Sequence, residues 1–90
     1  MKRAIITVTG VDHTGIVAGI SSVLADFNVN ILDITQTIMG DIFVMALLVD
    51  ISGLEDVTPL VSKLSEEGDS LKVKVSFERP VLGVAPGQAA

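Results

Sequence analysis

Four consecutive residues, Asp12-His13-Thr14-Gly15, carry the groups in this chain best suited to hold a small polar molecule. A helix that begins near Gly15 turns the unpaired backbone N–H groups of residues 14–17, Ile16 among them, toward a bound carboxylate. Asp12 beside them suits an ammonium. Opposite charges at that separation match the two ends of an α-amino acid, whereas the Asp12 carboxylate would weaken a simple phosphate site. The same residues allow a plainer reading, in which Asp12 and Thr14 only cap the helix. His13 has no second His, no Cys and no suitably spaced carboxylate, so neither a metal nor a cofactor is expected. Catalysis is not expected either, because nothing supplies a nucleophile with an adjacent base, paired carboxylates or a cofactor loop.

The elements that must hold these residues follow from the hydrophobic period. Residues 4–9 (AIITVT) are β-branched and stop at Gly10, as a first strand should. From Thr14, Ile16, Ile20, Leu24 and Phe27 mark one stripe of a helix, with Thr14 as its cap and Asn28-Val29-Asn30 as its end. In residues 31–39, Leu32, Ile34 and Ile38 alternate with Asp33, Thr35 and Thr37, the pattern of a half-buried strand. Gly40-Asp41 is the turn into residues 42–49, which are apolar on both faces and read as a buried central strand. Two starts compete for the second helix, a capping box at Ser52 to Glu55 and an N-cap with first-turn proline at Thr58-Pro59, and Gly68 is placed to close it. Leu71, Val73, Val75 and Phe77 then alternate with Lys72, Lys74, Ser76 and Glu78 as a fourth strand.

The order is β-α-β-β-α-β, which predicts an α+β, ferredoxin-like sandwich: a four-stranded antiparallel sheet with two helices on one face and the first and third strands central. One domain over residues 1–78 is expected, with residues 79–90 a tail that is loose or packed on a neighbour. Several uses of that fold are excluded by their own chemistry. A metallochaperone needs paired cysteines, an RNA-binding sheet needs exposed aromatics, and an acylphosphatase needs an Arg in the first loop; none is here.

Composition narrows the partners. A net charge of −5 with six scattered Lys and Arg argues against nucleic acid. No apolar stretch approaches the ~20 residues of a membrane span, so a soluble protein of the cytoplasm is expected. The chain is 49% hydrophobic with a mean hydropathy of +0.64. That exceeds what a small lone globule needs and points to an interface.

Ile6-Thr7-Val8-Thr9-Gly10-Val11-Asp12-His13-Thr14-Gly15-Ile16-Val17, followed by Asn30-Ile31, resembles the ACT-domain family over residues 3–78. The segments TGIVAGIS and NILDITQT are most similar to small stand-alone ACT proteins and to the repeat units of the glycine-cleavage regulatory protein. The resemblance implies a regulatory domain that binds an amino-acid-like effector and signals to a metabolic enzyme or regulator. It also implies a homodimer in which second strands pair side by side. Asp12 stands where serine-binding members place a ligand-contacting Asn, Gly15 is the turn glycine, and Asn30, with Ile31, matches the position that reaches across from the partner subunit. Gly10 replaces the His of those members, so serine itself is not implied. A ligand-free dimeric interaction module is the alternative.

The doubly apolar strand carries one more expectation. Phe43, Met45, Leu47 and Val49 are expected on the open face, where residues 81–84 of the tail or a partner protein would cover them. Arg3, Lys72 and Lys74 are expected as ordinary charge on that face.

Overall fold

In the computed structural model, residues 1–79 are described. The elements are β1 (Arg3–Val11), α1 (Ile16–Asp26), β2 (Asn30–Met39), β3 (Ile42–Asp50), α2 (Thr58–Leu71) and β4 (Lys74–Glu78). They form an antiparallel sheet in the order β2-β3-β1-β4, the ferredoxin-like arrangement, with β1 and β3 central.

The register of β1 on β3 sorts the two faces. Ala4, Ile6 and Val8 pair with Val49, Leu47 and Met45, and all six are inaccessible to solvent. Against them pack Ile16, Ile20, Val23 and Leu24 of α1 and Leu60 and Leu64 of α2. Each such side chain contributes about 1.5 to 3 kcal/mol through burial. Phe43, Met45, Leu47 and Val49 therefore belong to the core, which corrects their expected place on the open face. That face instead carries Ile42, Val44, Ala46 and Leu48 beside Ile5, Thr7 and Thr9. The proposed cover from residues 81–84, and the nature of the tail, lie outside the described residues.

β2 departs from the half-buried pattern, since all ten of its residues are exposed. The helices leave this edge strand bare on both faces. Ile34 and Ile38 pair with the core residues Leu47 and Phe43, while Asp33, Thr35 and Thr37 share the open face. Leu32 drops out of the alternation because a bulge interrupts the register between Ile31 and Asp33.

The helix ends correct other expectations. Gly15, left-handed at φ 99°, is the N-cap of α1, and no side chain caps the helix, so Thr14 does not. At the other end Asn28 takes φ 55°, and N–H groups of Asn28 and Val29 donate to Ala25 and Leu24 carbonyls at 3.0 and 2.9 Å. That closure was legible in Asn28. α2 begins at Thr58, with Pro59 in its first turn, but the acceptor at its start is Asp56, whose carboxylate takes the Thr58 N–H at 3.0 Å. Ser52 forms no capping box and donates to Asp50 instead. The helix also runs through Gly68 to Leu71. A Cβ on Gly68 would lie 2.9 Å from Val75 Cγ2 and 3.0 Å from the Val73 carbonyl, so that glycine serves close packing rather than closure. Lys72 closes α2 in the left-handed region at φ 58°, off the open face, and β4 starts only at Lys74.

The two faces of β3 make a direct test. Leu47→Ala should cost about 3 kcal/mol in urea unfolding through the cavity it leaves, and Leu48→Ala under about 1.5 kcal/mol. Equal losses would refute the register.

Candidate functional site

The loop between β1 and α1 is built from both of its flanks. The Asp12 N–H donates to the Asp41 carbonyl at 2.8 Å, fastening the loop to the β2–β3 turn. Asp12, His13, Thr14 and Gly15 are all exposed, and Ile16 is the first residue to enter the core. The Gly15 carbonyl accepts the Gly19 N–H at 2.9 Å and opens α1. Since no side chain caps that terminus and no acidic residue stands in the first turn, the capping reading of Asp12 and Thr14 is not what the fold uses. The first-turn N–H groups have no side-chain partner, and the exposed Asp12 precedes them by four residues in the chain.

His13 has an arrangement that residue spacing gave no means of finding. Its Nε2 lies 2.6 Å from the Leu71 carbonyl at the end of α2, and its Nδ1 lies 3.0 Å from the Thr14 carbonyl. The ring thus joins residues 58 apart in the chain. Gly10, at the end of β1, meets the same connector: a Cβ there would lie 2.8 Å from Val73 Cγ1.

Asn30 and Ile31 are not brought to this loop within one chain. Asn30 opens β2 opposite Asp50 and Arg3, whereas the loop follows Val11 at the other end of β1, roughly 26 Å away at the usual rise per strand residue. Near Asn30, Asp50 has its carboxyl held below the ordinary carboxylate range by the Ser52 hydroxyl and then by the Ser52 N–H.

A shallow hollow on the open face is lined by Ile5, Asp33, Ile34, Thr35, Ala46, Leu47 and Leu48. It lies toward the Asn30 end, and its lining includes one carboxylate, Asp33, and no cation. Among the described residues no group of three or more His, Cys, Asp or Glu comes together, and no helix is long and apolar enough to cross a membrane.

Comparison with known proteins matches residues 2–78 to the ACT domain family. A UPF0237 protein of Methanocaldococcus jannaschii is 53% identical over 76 residues, covering 83% of this chain and 84% of the relative. The structure of an ACT domain protein from Streptococcus pneumoniae superposes with a TM-score of 0.78 at 38% identity, covering 87% of this chain and 89% of that one. A candidate glycine cleavage system transcriptional repressor shares the fold, with a TM-score of 0.76 at 20% identity over 93% of this chain and 48% of its own.

Two measurements check the local physics. Gly15→Ala should cost about 1 to 2 kcal/mol through backbone strain alone, because nothing lies within 4 Å of the added carbon. Asp50, with its folded value depressed, stabilises the fold above the ordinary carboxylate range, and that stability is lost as pH falls through the folded value. Ser52→Ala should move the Asp50 titration midpoint upward in a carboxyl NMR titration; an unchanged midpoint would discard the assigned cause.

Proposed function

The chain belongs to the ACT-domain family, and from that premise we propose that it is a non-catalytic regulatory module that binds an amino-acid-like ligand as a homodimer. The observation that carries the reading is the α1 N-terminus, opened by a left-handed Gly15, uncapped by any side chain and preceded by Asp12. Its N–H groups suit a carboxylate and Asp12 an ammonium, so a free amino acid satisfies both where a simple anion satisfies one.

β2 supports the dimer. Ile31, Leu32, Ile34, Ile38 and Met39 are all exposed along a strand with one unpaired edge, an arrangement that invites a second strand. Two β2 strands related by a two-fold axis run antiparallel. Asn30 and Ile31 of the partner subunit then come level with Met39, which pairs with Ile42, itself opposite Val11 at the start of the loop. The partner's Asn30-Ile31 and the Asp12 to Ile16 loop then lie at the same end of one continuous sheet, with β2 and β3 between them, roughly 14 Å apart at the usual strand spacing. The module works in the cytoplasm, where free amino acids are available, and reports to a metabolic enzyme or regulator.

A thermal-shift screen of the common amino acids should reveal one that raises the melting temperature, because a ligand at 100 times its Kd adds about 2.7 kcal/mol. Asp12→Ala should abolish that response without lowering the ligand-free melting temperature. In gel filtration the protein should run as a dimer, and Ile34→Lys should give a monomer that no longer responds. A dimer that answers to no amino acid but captures a protein would indicate a ligand-free interaction module instead.

A further inference from the structure

Three contacts converge on Leu71 at the end of α2 and on the short connector that leads from it to β4. Leu71 packs toward Gly19 of α1, where an added Cβ would lie 2.9 Å from Leu71 Cδ1; Val73 packs on Gly10; and the Leu71 carbonyl receives His13 Nε2 at 2.6 Å. The connector is therefore seated against both flanks of the β1–α1 loop.

Its own backbone explains why a donor is needed there. The last four carbonyls of a helix have no intrahelical partner. The Val73 N–H donates to Gly68 at 2.9 Å and the Lys72 N–H to Asp69 at 3.2 Å, the paired closure of a helix that ends in a left-handed residue. The Leu71 carbonyl takes no part in that closure; both His13 ring nitrogens face carbonyls and a neutral ring donates from one of them, so it is the Nε2–H tautomer, with the shorter contact, that supplies Leu71 a donor from outside the helix. Lys72 occupies the left-handed position where a glycine would be unstrained, so the turn depends on its surroundings to hold it.

We propose that His13 is a positioning residue, not a ligand contact: through Nε2 it tethers the β1–α1 loop to the end of α2. The loop is then held at two points, Asp12 to the β2–β3 turn and His13 to the α2–β4 connector. With Asp12, Thr14 and Gly15 exposed, these two anchors fix where the α1 N-terminus points. That the tethered loop is an effector loop rests on the preceding reading; the tether itself belongs to the ligand-free chain.

Two amide substitutions separate the tether from a merely local turn. The amide nitrogen of Gln stands near the place of Nε2, and that of Asn near the place of Nδ1, so His13→Gln keeps a donor toward Leu71 while His13→Asn offers one only toward Thr14. Amide hydrogen exchange on the full chain without ligand should show Asp12, Gly19, Lys72 and Val73 exchanging about fivefold faster in His13→Ala and His13→Asn, the factor of one net hydrogen bond. His13→Gln should match the parent protein, and the β1 and β3 amides should be unaffected in all three. Equal rescue by Asn and Gln, or unchanged exchange at these amides in His13→Ala, would overturn the tether. If an amino acid from the screen binds, His13→Ala and His13→Asn should weaken it by a similar factor and His13→Gln should not. The exchange pattern without any amino-acid response would uphold the tether and reject the effector reading.

Discussion

Strand β1 pairs along its whole length with β3 on one side and over five residues with β4 on the other, and a period of two leaves that pairing no partial freedom. With Ala4, Ile6 and Val8 against the helices, Val49, Leu47 and Met45 must face the same way, and Ile5, Thr7 and Thr9 must face away. A slip of one residue would drive Arg3 and Asp50 into the core. The same register brings Val11 out beside the hairpin turn, so the loop that follows starts from a fixed height and a fixed face.

What the loop can do depends on what the helices do not supply. α1 starts on backbone geometry alone, with Gly15 providing the reversal and no side chain filling the N–H groups. The usual stabilisation from a cap, about 1 kcal/mol, is forgone at this terminus, where in the proposed function a cap would compete with a ligand. Burial of Ile16 and Ile20 immediately downstream, together with the close approach of Gly19 to Glu67 and Leu71, supplies the hold on this helix that a cap would otherwise give.

Legibility in the sequence followed the reach of each interaction. Asn28, Gly40 and the order of the six elements rest on neighbours within a few residues, and residue type signals them; the central positions of β1 and β3 follow from that order through the handedness of the crossovers. The faces of β3 were not legible because residues 42–49 are apolar on both sides, so only the partner strand decides. Gly68 misled because a glycine that stops a helix and one that admits a neighbouring strand look alike until Val73 and Val75 are seen against it. The His13 ring meeting the Leu71 carbonyl leaves no pattern at all, since a backbone acceptor has no residue type. Family likeness alone associates Asn30 and Ile31 with the loop, and their distance from Asp12 along the sheet emerges only from the strand register.

The two edges of the sheet are unequal. β2 offers ten residues and several bare apolar side chains, whereas β4 has five residues, bounded by the exposed charges of Lys74 and Glu78. A contact that pairs β2 with its own copy uses the same strand on both sides and satisfies itself after one step. Only the two short, charged edges then face outward, and they are poor templates for a further strand. In the proposed dimer, edge inequality would thus favour a closed pair with point-group symmetry over an endless ribbon, a safeguard for a chain that is nearly half hydrophobic.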